Sequence, residues 1–330
     1  MQISVIGAGS WGTVLAQILH DNGHEVILWA RSEAKAATIA ALHCNEDYLP
    51  KLYLDKSIVI TADLKKAVTA AEVLVLVVPS KAMSDLADKI SKLSTCENKI
   101  ILSCTKGFDE ATNLTMSQVL AKHLPKAQGL AVMSGPNLAG ELALRQPSAT
   151  VIASAKEEVA LKLQNIFINK YFRPYTSTDI LGVELAGALK NCMALVAGMM
   201  RGLSFGDNSL AALITRGLAE ITRLGVALGA QEATFRGLAG MGDLIATCIS
   251  TKSRNHLAGK ALAQGKTWEE IQKNSKMVIE GITTAKVAQS LAIKHNVELP
   301  IINQLCSVLF AQQPVETALT ALMDRSGKKE

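Results

Sequence analysis

The stretch that most restricts how this chain can fold lies at its start. A short β-branched run, Ile3 to Ile6, ends in Gly7-Ala8-Gly9-Ser10-Trp11-Gly12 and passes directly into the helical pattern TVLAQILHDNG. A strand that enters a helix through G-x-G-x-x-G uses Gly7 for the turn, Gly9 to admit a pyrophosphate against the backbone, and Gly12 to let helix and strand pack closely. The match alone is also met in structural glycine turns. Here Gly23-His24 and a second strand, Glu25 to Ala30, complete a βαβ unit of the expected length. The stretch therefore reads as a dinucleotide site with the phosphates at a helix N-terminus.

The end of the second strand bears on which dinucleotide. NAD-selective sites place an acidic residue there, roughly 20 residues past the loop, to hold the ribose 2′-hydroxyl. This chain has Trp29-Ala30-Arg31, and its nearest carboxylate, Glu33, lies beyond the strand beside Lys35. Arg31 suits a 2′-phosphate, so NADP(H) is favoured and NAD(H) use stays open. The competing reading of Arg31 is a solvated loop arginine.

Further strands alternate with helical segments: Ser57 to Thr61, Val73 to Val78, Lys99 to Cys104, Leu130 to Ser134 and Ala149 to Ser154, with Tyr171 to Ser177 as a closing strand. Such alternation predicts a Rossmann-type doubly wound α/β sheet. Several strands run into small or polar turns, Val78-Pro79-Ser80, Cys104-Thr105-Lys106-Gly107 and Ser134-Gly135-Pro136-Asn137, which at the carboxyl edge of a sheet line a cofactor cleft. Lys106 is placed to meet an anion there, although turn lysines are more often simply solvated. Past residue 180 the strand-like runs stop. Alanine- and leucine-rich segments follow at 181–200, 207–228, 254–264, 268–273, 281–295 and 301–323, which predict an all-α C-terminal domain. The expected division is 1–180 for the dinucleotide-binding domain and 181–330 for an α-helical substrate and catalytic domain.

Composition narrows the classes of function. A hydrophobic content of 49% with 19% charged residues describes a well-buried globular protein. The net charge of +5 comes without a basic block or interleaved aromatics, so nucleic acid is not expected as a partner, while small anions are. Six cysteines show neither CxxC nor zinc-ligand spacing and six histidines form no ligand-spaced pair, so no metal is expected and the thiols read as reduced. The N-terminus lacks a basic segment followed by a signal-length apolar run, and Glu184, Lys190 and Asn191 interrupt the most apolar region. The expectation is a soluble cytoplasmic protein without membrane insertion, with an apolar helical half that suits a homodimer.

The chemistry is expected in LGVELAGALKNCMA, residues 181–194. Glu184, Gly187, Lys190 and Asn191 share one face of a helix of about 3.6 residues per turn, while Leu181, Leu185, Leu189 and Met193 pack the other sides. A lysine held in such a core loses hydration and becomes able to exchange a proton near neutral pH. A lysine that snorkels to solvent, or pairs structurally with Glu184, is the competing reading. Methionine at 190 is expected to abolish proton transfer while leaving the fold as stable as before. Farther on, the glycine-rich loop Gly237 to Asp243 presents one aspartate, and Ser253-Arg254-Asn255 opens a helix with hydroxyl, guanidinium and amide groups. Together these resemble a site for a hydroxylated phosphate; a capped helix start with a solvated arginine is the plainer alternative.

Six stretches carry a resemblance in order and spacing: GAGSWG near the N-terminus, CTKGF at 104–108, SGPNLAGE at 134–141, VELAGALKN at 183–191, GLAGMGDL at 237–244 and TKSRN at 251–255. The chain resembles the NAD(P)-dependent sn-glycerol-3-phosphate dehydrogenases over nearly its whole length. The resemblance implies interconversion of dihydroxyacetone phosphate and sn-glycerol 3-phosphate, a supply of the latter to glycerophospholipid synthesis, and Lys190 as acid/base. It implies substrate contacts from Lys106, Gly135, Asn137, Lys190, Asp243, Ser253, Arg254 and Asn255. For the cofactor it implies Ser10, Trp11, Arg31, Lys106, Ala139, Arg254, Val278 and Glu280, beside the loop glycines Gly7, Gly9 and Gly12. Two positions depart from the pattern: Asn137 stands where the family commonly has Ser or Thr, and Tyr53-Leu54 where it commonly reads Leu-Pro. A β-hydroxyacid dehydrogenase would share the two-domain plan, but those enzymes space their lysine and asparagine farther apart than the adjacent Lys190 and Asn191. A binding protein that only senses NADP(H) would need neither Lys190 nor Arg254-Asn255.

Overall fold

In the computed structural model, which describes residues 1–93, 96–274, 278–324 and 326, the β-branched runs of the first half become strands and the alanine-rich second half becomes helices. Contacts divide the chain into two units, Met1–Asp109 with Leu114–Val183, and Glu110–Asn113 with Glu184–Glu330.

The first unit runs β1 (Gln2–Ile6), α1 (Ser10–Asp21), β2 (Glu25–Trp29), α2 (Glu33–Leu42), β3 (Cys44–Asn45), β4 (Leu49–Tyr53), β5 (Val59–Thr61), α3 (Leu64–Ala70), β6 (Val73–Leu76), α4 (Met83–Lys92), β7 (Ile100–Ser103), α5 (Met116–His123), β8 (Gly129–Ser134), α6 (Ala139–Leu142), β9 (Ser148–Ala153), α7 (Glu157–Phe167) and β10 (Phe172–Ser177). Eight strands form one sheet in the order β10-β9-β8-β7-β6-β1-β2-β5. Every pair is parallel except β8 against β9. Parallel strands are covered on both faces, so they read as unbroken apolar runs, and alternate residues enter opposite cores. Ile3, Val5, Val73 and Val75 pack with Val14, Leu15 and Leu19 of α1 on one face. Ile6, Leu74 and Leu76 pack with Leu86, Ile90 and Leu120 on the other. The order of strands reverses at β1, which lies between β2 and β6, so the glycine loop leaves the sheet at its switch point.

The antiparallel step at β9 was not contained in the alternation of strands and helices. Nor was the small hairpin of β3 and β4, which occupies the region around the atypical Tyr53. Its Asn45, buried, donates to the Ala8 carbonyl at 3.1 Å and to Thr13 Oγ1 at 2.8 Å, so the hairpin braces the glycine loop.

The second unit is helical: α8 (Ile180–Gly202, whose first residues belong to the first unit), α9 (Asp207–Ala227), α10 (Glu232–Arg236), α11 (Asp243–Ile249), α12 (Arg254–Ala263), α13 (Trp268–Asn274), α14 (Glu280–His295), α15 (Pro300–Phe310) and α16 (Val315–Met323). By length and composition α8 could cross a membrane, yet 89% of its most apolar window is buried within the protein. Apolarity on all sides here marks a core helix. The apolar stretch 301–323 is two helices, because Gln312 adopts a left-handed φ of 55° and Pro314 cannot continue the preceding helix. Leu299 provides no side-chain cap for α15, and Glu220 of α9 takes that role from a distance in sequence. Its buried carboxylate accepts from the N–H groups of Ile301 at 2.9 Å and Ile302 at 2.8 Å. All six cysteines are unpaired and buried.

Candidate active site

In the first unit the glycine loop is set by backbone contacts. Gly7 has φ +127°, and a Cβ there would lie 2.2 Å from the Val77 carbonyl oxygen. A Cβ on Gly12 would lie 1.9 Å from the Gly7 oxygen, so side chains are excluded from both positions, whereas Gly9 faces open space. Helix α1 begins at Ser10 with no side-chain cap, which leaves its first amides for a ligand. Trp11 packs edge-on against Phe172 at 6.2 Å. The buried Cys104 thiol lies near its indole and is pushed far above the usual thiol range by burial, against the pull of Lys106 and of Trp11.

Arg31 lies two residues past β2 and is exposed, just before Ser32, whose side chain caps α2 by accepting from the Lys35 N–H. Lys35 is held over the Tyr48 ring, 3.9 Å from its centre. Burial lowers the Lys35 pKa, Asp47 opposes this and Arg31 adds to it. Two cations thus sit close together at the strand end where a ribose 2′ substituent is expected.

The third cluster of the first unit joins two turns. Lys106 Nζ donates to the Gly135 carbonyl at 3.0 Å. Asn137 Nδ2 donates to Thr150 Oγ1 at 2.9 Å, and Thr150 in turn donates to the Ser134 carbonyl at 3.1 Å, which fixes the orientation of the Asn137 amide. Ala139 is the first residue of α6.

In the second unit Lys190 is buried in the middle of α8. Its Nζ lies 2.5 Å from Asp243 Oδ1 and 2.6 Å from Thr247 Oγ1. Thr247 spends its own proton on the Asp243 backbone carbonyl at 2.6 Å, so its oxygen accepts from the lysine. The snorkelling reading of Lys190 is thereby excluded. Asp243 supplies a carboxylate at the lysine's amine. The expected loop before Asp243 is in fact a π-helical turn, Leu238–Gly242, and Asp243 opens α11. The glycine at 240 serves packing there, since a Cβ on it would lie 2.1 Å from the Phe235 carbonyl oxygen.

Ser253 caps α12, accepting from the His256 N–H at 3.4 Å, so the capped-helix reading holds for this residue. Arg254 is exposed and donates to the Val278 carbonyl at 2.9 Å, which brings together two of the residues expected at the cofactor. Asn255 is buried. Its Oδ1 accepts from the Gly281 N–H at 3.0 Å and its Nδ2 donates to Asn191 Oδ1 at 2.9 Å, so it ties α12 to α8 and to the start of α14, where Glu280 stands. Thr247, Asn45 and Phe172 were missed by sequence reasoning. Thr247 follows Asp243 at one helical turn, a spacing that would have flagged it had α11 been recognised.

Two family models match the chain. The N-terminal half of NAD-dependent glycerol-3-phosphate dehydrogenase matches residues 2–160, and its C-terminal half matches residues 179–320. A glycerol-3-phosphate dehydrogenase of the NAD(P)+ type from Lacticaseibacillus casei is 45% identical over 337 residues, covering 100% of this chain and 96% of the relative. One from Fusobacterium nucleatum is 45% identical over 331 residues, with 100% and 98% covered. A crystal structure of glycerol-3-phosphate dehydrogenase from Coxiella burnetii superposes with a TM-score of 0.94 at 34% identity, covering 98% of this chain and 99% of that one.

Proposed function

The chain belongs to the NAD-dependent glycerol-3-phosphate dehydrogenases, and from that premise we propose that Lys190 is the acid/base of its reaction. That reaction interconverts dihydroxyacetone phosphate and sn-glycerol 3-phosphate with a nicotinamide cofactor. The cofactor, when bound, supplies or takes the hydride at the substrate's C2. The residues present suit it. Uncapped amides at the start of α1, open space at Gly9 and the tight Gly7–Gly12 contact form a cradle for a pyrophosphate.

The observation that carries the reading is the ammonium of Lys190 held by Asp243 and Thr247 inside an apolar helix bundle. During reduction the substrate's C2 oxygen gains negative charge. Lys190 stabilises that charge and passes a proton to it; in the reverse direction the neutral amine accepts the proton from the alcohol. Asp243 and Thr247 keep Nζ in place. Ser253, Arg254 and Asn255, at the start of α12, hold the phosphate, with Lys106, Gly135 and Asn137 as further substrate contacts. Ser10, Trp11, Ala139, Arg254, Val278 and Glu280 hold the cofactor.

NADP(H) is the favoured cofactor, supported by Arg31 and its neighbour Lys35 and by the lack of a carboxylate at the end of β2. The product is read as the glycerol 3-phosphate supply of glycerophospholipid synthesis, which loss of the gene would reveal as growth dependent on added glycerol 3-phosphate.

Lys190→Arg tests the acid/base. Arginine keeps the charge opposite Asp243 but does not release its proton. NADPH oxidation with dihydroxyacetone phosphate should fall by at least about 10²–10⁴-fold with an unchanged melting curve. Near-normal turnover would return Lys190 to a structural role.

A further inference from the structure

We propose that His256 is a positioning residue for the substrate phosphate: its imidazole fastens the first turn of α12 to the last turn of α11, fixing Ser253, Arg254 and Asn255 relative to Lys190, Asp243 and Thr247. The inference rests on the reading of Ser253, Arg254 and Asn255 as the phosphate site.

His256 is 4% exposed, and its Nδ1 lies 3.1 Å from the carbonyl oxygen of Cys248. A carbonyl only accepts, so Nδ1 carries the proton. Cys248 directly follows Thr247, and its carbonyl is among those at the end of α11 that a helix leaves without an internal partner. The same histidine donates its backbone N–H to the Ser253 cap at 3.4 Å, and Ser253 N–H bonds the Ser250 carbonyl at 3.1 Å. One residue therefore closes the 250–253 turn from both sides.

The other fastenings of α12 lead elsewhere. Asn255 binds α8 and the start of α14. Farther along α8 the two helices touch backbone to backbone, since a Cβ on Gly198 would lie 1.9 Å from the His256 carbonyl oxygen and one on Gly259 would lie 1.9 Å from that of Leu195. These contacts set the distance between α12 and α8. The bond from His256 to Cys248 ties α12 to α11, the helix that carries Asp243 and Thr247. Arg201 of α8 and Lys260 of α12 face the imidazole, and with burial they favour its neutral form, for which a single donor at Nδ1 suffices.

The test is a set of three variants assayed with dihydroxyacetone phosphate and NADPH, each with a melting curve. The amide nitrogen of His256→Asn reaches the place of Nδ1, that of His256→Gln the place of Nε2, and His256→Leu has no donor. The Gln and Leu variants should raise KM for dihydroxyacetone phosphate about tenfold, with kcat and KM for NADPH within about threefold, and Asn should restore KM to within about twofold. A purely structural residue would instead lower the melting temperature and the active fraction while leaving KM unmoved. If the Leu variant does not fold, the comparison of Asn with Gln decides. Equal KM in Asn and Gln, or a KM unchanged throughout, overturns the proposal. Arg254→Ala separates the two levels. If it leaves KM for dihydroxyacetone phosphate unchanged, the phosphate reading fails and the role of His256 falls with it; if it raises KM and the His256 variants do not, only the positioning role fails.

Discussion

The glycine loop of the first unit and the lysine cluster of the second are built by opposite means. Around the loop, main-chain atoms do the work: Gly7 lies against Val77, Gly12 against Gly7, and the amides that open α1 have no side-chain competitor. Around Lys190 the bonds run between side chains drawn from α8, α11 and α12, with partners 53, 57 and 64 positions apart in sequence. A backbone site tolerates changes in side chains but not in chain path. A side-chain site should respond to single atoms and be sensitive to how its helices are fastened.

The largest effect expected from this contrast is at Gly12. Any Cβ there meets the Gly7 oxygen at 1.9 Å, so Gly12→Val should abolish NADPH binding, measured by fluorescence titration, by a factor of about 100 or more. Retained binding would show that the loop can re-route.

Next comes Lys190→Met. Against the expectation of unchanged stability, a loss is predicted, because the substitution takes the ammonium away from an Asp243 that is only 2% exposed. Removing one member of a buried pair costs about 3–5 kcal/mol, which denaturant unfolding would register. Adding Asp243→Leu should recover much of that stability without restoring turnover, and the double-mutant cycle measures the coupling.

A smaller change is expected at Arg31. Arg31→Asp should raise KM for NADPH about tenfold more than KM for NADH, an effect of about 1.4 kcal/mol. Equal changes for both cofactors would remove Arg31 from cofactor choice.

The smallest effect concerns pH. Burial, with Arg201 and Lys260 and against the Cys248 carbonyl, lowers the pKa of His256 in the fold. The unfolded chain therefore binds the proton more readily, and the contribution of His256 to stability is complete above about 6.5 and lost as pH falls through the folded value. Between pH 7 and 5 the melting temperature of wild type should drop about one to three degrees more than that of His256→Asn. The subtraction removes His24, whose pKa burial also lowers.

The same contrast explains what could be read from the amino acids. The Rossmann-type sheet was legible because β1 and β6 are buried on both faces, and their apolar runs announce themselves. The loop was legible because its three glycines, Gly7, Gly9 and Gly12, follow one another at a fixed short spacing, although the contacts that demand them reach as far as Val77. Lys190 stood out as a charge in an apolar helix, but its partners could not be derived from periodicity, since pairing across 53 residues depends on how α8 and α11 cross. Glycines at 237, 240 and 242 suggested a loop and gave a π-helical turn, because glycine serves close packing as well as flexibility. The hairpin with Asn45 left no signal, its strands being short and one of them carrying Pro50.

Glu220 has a further consequence for the opening motions of the second unit. The amides of Ile301 and Ile302 are closed by a carboxylate from α9, more than 80 positions earlier, rather than by the turn that precedes them. Fraying of α15 at its own end cannot release those two hydrogens without separating them from α9. In a hydrogen-exchange experiment they should behave as core amides although they sit at a helix terminus, exchanging only when α9 and α15 part.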